Sequence, residues 1–129
     1  MSNIPQTLRY TPEHEWVLVT DGTTARVGIT DHAQDALGDI VFLTLPAVGV
    51  TVSAGQTCGE VESTKSVSDI YAPLSGVVTA RNESVETAPE TLNADPYGAG
   101  WLFDIELTDA TQVAELLDAS AYEALLSGH

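Results

Sequence analysis

Basic residues are scarce in this chain. Four Lys and Arg stand against nineteen Asp and Glu among 129 residues, which gives a formal net charge of −15. Nucleic acids and anionic membranes are bound through basic residues matched to phosphates, so neither is an expected partner. A protein with a basic surface would instead be attracted, most strongly at low salt. Simple solubility or a salty medium explains the same charge equally well.

Cysteine and long apolar runs are also rare. Cys58 is the only cysteine, so no internal disulfide can form, which is usual in a reducing compartment. No apolar run approaches the ~20 residues of a membrane helix. Residues 1–6 have neither the basic start and apolar stretch of a secretion signal nor an arginine-rich import pattern. We therefore expect a cytoplasmic protein that does not enter a membrane.

The remaining pattern is one of short strands separated by turn residues. Strands at 15–19 and 24–29 flank Asp21-Gly22, a pair typical of hairpin turns. Further strand-like segments lie at residues 40–45, 50–52, 57–62, 67–71, 76–80 and 101–107. This spacing is typical of a small barrel or sandwich of antiparallel strands. We expect a mainly β (α+β) fold in a single domain over residues 1–129, with a β core at 8–107.

Helices are expected at two places only. Residues 31–37 predict a short helix, with Asp31 and Gln34 as a capping pair and Gly38 as its terminator. Residues 83–100 carry two prolines and little regular pattern, which predicts a long surface loop. C-terminal helices over 109–127 are indicated by a shared apolar face and a capping box, formed by Val113, Leu116, Leu117, Ser120 and Glu123.

Lys65 is the only lysine, and its surroundings predict an exposed position. Alternating segments flank the small polar stretch 63–66, which places Lys65 near the tip of a hairpin. An unperturbed lysine amine is cationic and a poor nucleophile, so unaided catalysis is not expected there. Acylation by another enzyme requires only exposure, a rigid turn and a recognisable neighbourhood. A lone lysine in a turn is more often a solubilising residue, so the neighbouring sequence must show whether Lys65 is an acylation site.

That context is a series of motifs over residues 8–126. Around the lysine stand ESTK at 62–65 and IYAPLSG at 70–76, with Gly49 sixteen residues before the lysine and Gly76 eleven after it. Elsewhere stand HEWV at 14–17, GITDHAQ at 28–34, LGDIV at 37–41, LP at 45–46 and NADPYGAGW at 93–101. In this order the motifs resemble those of the glycine cleavage system H-protein family, which belongs to the lipoyl carriers.

Two residues beside the lysine depart from the family pattern, which usually has valine before it and alanine after it. Thr64 and Ser66 stand there instead, and both are small enough for a turn. By the resemblance, Glu62 and Ser63 belong to the neighbourhood recognised for lipoylation. Biotin carriers flank their lysine with methionines, and Met1 is the only methionine here, so biotin is disfavoured.

The resemblance implies a lipoyl-domain-like flattened barrel or sandwich of two antiparallel sheets with Lys65 at a hairpin tip. Lipoic acid would be attached covalently to Lys65, and the chain would be a carrier, not an enzyme. It would take the aminomethyl group of glycine from glycine decarboxylase to aminomethyltransferase. Dihydrolipoamide dehydrogenase and a lipoate-attaching enzyme would be its other partners, and a mobile shuttle is expected to be a monomer.

A carried aminomethyl group is prone to hydrolysis and has a cationic amine, so a cleft that excludes water would protect it. Glu15, His32 and Asp69 lie in family-like motifs and are the candidates for lining that cleft, because carboxylates favour a nearby cation. Each also has an ordinary explanation, as a surface strand acid, a helix-start histidine and a turn acid respectively.

Several alternatives stay open. The chain could be a lipoyl domain of a 2-oxoacid dehydrogenase complex, although the HEWV start and the helical tail argue against this. It could be a lipoyl-relay or interaction paralogue with an unmodified lysine. A stand-alone enzyme using His32 or Cys58 is a third class, but Cys58 is expected to be a packing residue. No metal site is expected, because His14 lacks a second histidine at a suitable spacing.

Overall fold

Short strands and helices alternate along the chain in the computed structural model, which describes residues 4–20 and 22–127. The strands are β1 (Arg9–Tyr10), β2 (Glu15–Val19), β3 (Thr24–Ile29), β4 (Ile40–Thr44), β5 (Thr51–Val52), β6 (Thr57–Ser63), β7 (Val67–Tyr71), β8 (Gly76–Arg81) and β9 (Phe103–Leu107). The α-helices are α1 (Asp31–Leu37), α2 (Glu83–Thr87), α3 (Thr91–Ala94) and α4 (Ala119–Leu126), with a 3₁₀ helix at Ala110–Glu115.

These strands pair into two antiparallel sheets. The six-stranded sheet has the order β1-β2-β3-β9-β8-β5, and the three-stranded sheet has the order β4-β6-β7. Their inward residues form one apolar cluster, which includes Val27, Phe103 and Ile105 from the larger sheet and Leu43 and Val61 from the smaller. Burying each such side chain contributes about 1.5–3 kcal/mol. The expected mainly β fold of two antiparallel sheets is confirmed.

A second apolar cluster joins the C-terminal helix to the first strands. The ring of Tyr122 on α4 stacks on that of Tyr10 with centroids 4.7 Å apart, and Trp16 lies in the same cluster. Backbone bonds of 2.8 and 2.9 Å between Tyr10 and Leu117 cover the edge of β1. The tail therefore closes the end of the larger sheet. No helix in the described part of the chain is long and apolar enough to span a bilayer.

The predicted strands agree with the structure to within two residues at each end, and only the two-residue β1 was not anticipated. β2 and β3 pair antiparallel around the expected turn, although Asp21 itself lies outside the described residues. The capping predicted for α1 was wrong in one respect. Its N-cap is Thr30, whose hydroxyl accepts from Ala33 N–H at 3.2 Å.

The prediction of a long surface loop over 83–100 was wrong. Two short helices, α2 and α3, occupy much of it, and Val85 and Leu92 on them are fully buried. Helices of four or five residues are too short to produce a recognisable apolar period. Asn82 caps α2, and its amide also donates to the carbonyls of Ala99 and Trp101 at 2.8 and 2.7 Å.

The predicted tail was only partly right. Its first half is a 3₁₀ helix, and the backbone turns extended at Leu116, so Val113, Leu116 and Leu117 do not share an α-helical face. The cap of α4 is Asp118, whose carboxylate accepts from Ala121 N–H at 2.8 Å, and not the predicted Ser120–Glu123 pair. Asp118 competes successfully because an acidic side chain is as good an N-cap as serine.

Close backbone contact explains the glycine eleven residues after Lys65. Gly76 opens β8 opposite Leu107, and a Cβ there would collide with the carbonyl oxygen of Glu106 and the side chain of Ile105. Neither group can move without disturbing the β8–β9 pairing. The position therefore requires glycine for packing reasons.

We expect Gly76→Ala to lower the free energy of unfolding by about 1–3 kcal/mol, the usual cost of overpacking a core. Thr79→Ala is the matched control, because Thr79 lies on the same strand with an exposed side chain. Urea unfolding of both variants measures the difference. Equal stabilities for the two would contradict the clash.

Candidate functional site

Lys65 lies in the turn between β6 and β7, and one buried side chain organises that turn. The hydroxyl oxygen of Ser63 accepts the backbone N–H groups of Lys65 at 3.2 Å and Ser66 at 3.1 Å. Ser63 N–H donates to the Ser66 carbonyl at 2.8 Å. Hydroxyl-to-backbone bonds of this kind hold a turn in one conformation. The lysine therefore leaves the hairpin from a preorganised backbone.

The turn is also tied to the end of α1. Thr64 N–H donates to the carbonyl of Asp39 at 3.0 Å. The aliphatic part of Lys65 lies over Gly38, where an added Cβ would be 3.3 Å from the Lys65 Cε. Gly38 has a φ of 85°, a conformation that favours glycine, so a side chain there would be strained and crowded. A larger residue at this position would displace the lysine.

Asn93 holds this platform from the other side. Its amide donates to the Gly38 carbonyl at 2.9 Å and to the Gln34 side chain at 3.0 Å, and its oxygen accepts from Ile40 N–H at 2.9 Å. One side chain thus fixes the segment that joins α1 to β4. Sequence reasoning missed this role, although Asn93 begins one of the family-like motifs.

The side chain of Lys65 is exposed. A protonated amine does not attack an acyl group by itself, but an exposed amine on a rigid turn can enter the active site of another enzyme, which removes the proton. The residues of the hairpin therefore fit a covalently attached acyl cofactor. They supply a place of attachment and no catalytic group.

Glu15 is not a surface acid. Its side chain is buried, and its carboxyl oxygens accept from Tyr71 N–H at 2.7 Å and from the Thr11 hydroxyl at 3.3 Å. Burial raises the pKa of Glu15 to about 8, although the two hydrogen bonds oppose the rise. The carboxyl is therefore largely protonated at neutral pH. Through Tyr71, it connects β2 to the strand that follows the lysine turn.

The other two cleft candidates lie in different surroundings. Asp69 is exposed on β7, two residues before Tyr71, so that strand connects it to the Glu15 carboxyl. His32 is half-buried, and its ring lies 4.6 Å from that of His14. Within residues 4–20 and 22–127, no hydrogen bond joins any two of Glu15, His32 and Asp69.

His14 belongs to a polar cluster that sequence reasoning did not find. Its backbone has a φ of 70°, which is rare outside glycine, and its Nδ1 lies 2.8 Å from the Tyr122 hydroxyl. That hydroxyl also lies 2.8 Å from the Thr30 hydroxyl. Burial and the neighbouring His32 lower the pKa of His14. The cluster ties α4 to the start of α1, and the sequence separation of 108 between His14 and Tyr122 leaves no local signal for it.

A rigid hairpin with an exposed lysine at its tip, built on two small antiparallel sheets, defines the class of covalent-cofactor carrier domains. A sequence model of the family described as "Glycine cleavage H-protein" matches residues 8–129. The glycine cleavage system H protein of Mycobacterium avium is 56% identical over 131 residues, covering 98% of this chain and 99% of its own. That of Beutenbergia cavernae is 57% identical over 126 residues, covering 98% of each chain.

A solved structure agrees. The crystal structure of a glycine cleavage system H protein from Mycobacterium marinum has a TM-score of 0.88 and 49% identity, covering 96% of this chain and 99% of its own. This chain belongs to the glycine cleavage H-protein family, whose members are non-catalytic carriers of lipoyl-lysine in the glycine cleavage system. The resemblance is confirmed. The alternative hypotheses, a lipoyl domain of a 2-oxoacid dehydrogenase complex and a stand-alone enzyme, are rejected.

The raised pKa of Glu15 predicts that the stability of the fold depends on pH. Its pKa is about 8 in the folded chain against an ordinary value of 4.5, so the folded state holds a proton that the unfolded state releases between these values. Stability must therefore fall as pH rises through this range. We expect Glu15→Gln, which keeps an oxygen for Tyr71 N–H, to reduce that fall by more than about 1 kcal/mol.

Urea unfolding at several pH values between about 4.5 and 8 measures the effect. Glu90→Gln removes an exposed acid whose side chain makes no capping bond, and it should keep the slope of the parent. A Glu15→Gln protein with the same pH profile as the parent would show that folding does not raise the pKa of Glu15.

Proposed function

We propose that Lys65 is the residue that carries the lipoyl group in this chain. The observation that supports this most directly is the exposed lysine on a hairpin tip held by Ser63 and by the backbone of Asp39. The family carries lipoyl-lysine, and Lys65 is the only lysine available to carry it. In this proposal Glu62 and Ser63 present the lysine for recognition by the lipoate-attaching enzyme.

We propose glycine decarboxylase, aminomethyltransferase and dihydrolipoamide dehydrogenase as the enzymes served by the carrier. When bound, lipoate supplies a disulfide that accepts the aminomethyl group of glycine and is afterwards restored. The chain itself supplies attachment, reach and recognition. We infer that residues 1–129 act as a single monomeric domain. A cytoplasmic site of action is supported by the lone cysteine and the bacterial sources of the relatives.

The same proposal gives Glu15, Asp69 and His32 a protective role toward the carried amine. Asp69 is exposed on the strand that follows the lysine turn, so its carboxylate is free to attract a cation. Glu15 is largely protonated when no cation is near it. The cationic amine of the carried group would favour the ionised form of Glu15 and the release of its proton. His32 would contribute through its ring on the side of His14.

Replacement of Lys65 tests the attachment. We expect the chain, produced with a lipoate-attaching enzyme and lipoate, to gain one lipoyl increment, and Lys65→Arg to gain none. Arginine keeps the charge but is not acylated, and no second lysine can accept the group instead. Intact-mass spectrometry measures the increment. Ser66→Ala is the control and should be modified fully, whereas an increment retained in Lys65→Arg would refute the assignment.

The cleft role has its own test. We expect Glu15→Gln combined with Asp69→Asn to shorten the lifetime of the carried aminomethyl group by about threefold, because two acids that favour the cation are lost. Mass spectrometry of the loaded carrier over time measures this lifetime. Glu90→Gln should leave it unchanged. An unchanged lifetime in the double variant would end this role for the two acids.

A further inference from the structure

One face of the three-stranded sheet lies beside the lysine turn and is open to solvent. The residues opposite each other across β4, β6 and β7 form two rows on this face. The row nearer the lysine is Phe42, Glu62 and Val67, and the next row is Thr44, Glu60 and Asp69. We call these six residues the outer face. The opposite side of the sheet carries Leu43 and Val61 into the core.

The row nearer the lysine exposes two apolar side chains. Phe42 is 53% exposed and Val67 is 58% exposed, on either side of Glu62. A register shift between Ile40 and Phe42 also leaves the neighbouring Val41 52% exposed. The hydrophobic effect opposes such exposure, so covering these side chains with a partner would be favourable. This apolar group begins two residues from Lys65.

The charges of the outer face have one sign. Glu60, Glu62 and Asp69 are acidic, and β4, β6 and β7 contain no lysine or arginine. All three arginines belong to strands of the six-stranded sheet. Two of them form ion pairs, Arg26 with Asp104 on β9 and Arg81 with Glu86 on α2, each at 3.0 Å. The outer face thus presents apolar and acidic groups together, and a partner that fits it needs apolar contacts flanked by basic side chains.

We propose that the outer face is the docking surface for the enzyme that acylates Lys65. This rests on the proposed attachment of lipoate at that residue. An acylating enzyme must hold the lysine amine itself in its active site, so it must cover the residues around the turn. Phe42 and Val67 are then apolar anchors, and the acids steer the enzyme towards the lysine.

Lipoate transfer to the intact chain by a purified lipoate-attaching enzyme tests the proposal. We expect Val67→Ser and Phe42→Ser each to lower kcat/KM for the carrier about tenfold, mainly through KM, because a docking contact is lost and not a catalytic one. Val48→Ser is the matched control. Val48 is 57% exposed, almost as much as Val67, and it lies outside the outer face. Its kcat/KM should equal that of the parent.

Two further variants separate docking from folding and from charge. Val67→Leu keeps an apolar side chain and should recover most of the kcat/KM that Val67→Ser loses. A folding defect would instead appear as a lowered midpoint in thermal unfolding of Val67→Ser. Glu60→Gln should raise KM roughly twofold at low salt, an effect that added salt removes. Glu90→Gln removes the same formal charge at the N-cap of α3, away from the outer face, and should not raise KM.

The outcomes distinguish the two proposals. Equal kcat/KM for the parent, Val67→Ser and Phe42→Ser would overturn the docking surface while leaving Lys65 as the attachment residue. The same loss in Val48→Ser as in Val67→Ser would also overturn it. A parent chain that receives no lipoyl group at all would instead refute the proposed attachment.

Discussion

The Ser63 hydroxyl accepts two backbone N–H groups of the lysine turn, and the Asp39 carbonyl accepts a third. A carrier lysine is presented to other proteins. If its turn were flexible, each binding event would have to order it, and the lost conformational entropy would weaken binding. These bonds order the turn in advance. Asn93 supports them by holding the end of α1 on which the lysine side chain rests.

The rest of the scaffold positions this turn through close packing. β6 pairs with β4 on one side and β7 on the other, and its inward residues join the core shared with the six-stranded sheet. Gly59 on β6 allows the backbone of Thr44 to approach, as Gly76 does for the backbone of Glu106. The hairpin therefore projects from a sheet that cannot slide, because a shift of one residue would turn buried side chains outward.

Charge is distributed unevenly over this scaffold. The arginines lie on the larger sheet and two of them form ion pairs, while the smaller sheet carries acids beside the one lysine. The buried Glu15 is a different kind of acid, since its pKa is raised by loss of water and not by a neighbouring charge alone. Exposed acids attract approaching basic groups over about a Debye length, whereas a buried acid interacts only with a group that comes into contact with it.

The strands and the site of the lysine could be predicted from the sequence, because apolar alternation and turn residues act over a few neighbouring positions. The helix at 31–37 and its terminal Gly38 followed from equally local signals. The burial of Glu15 could not be read in this way, since its partner Tyr71 is 56 residues distant. The same holds for Asn93 under the lysine platform and for Tyr122 beside His14. The sequence by itself determined that the one lysine stands at the tip of a hairpin and that the chain resembles the lipoyl carriers. Only the tertiary structure decided which side chains hold that hairpin still and which face beside it stays open, because both depend on contacts between distant segments.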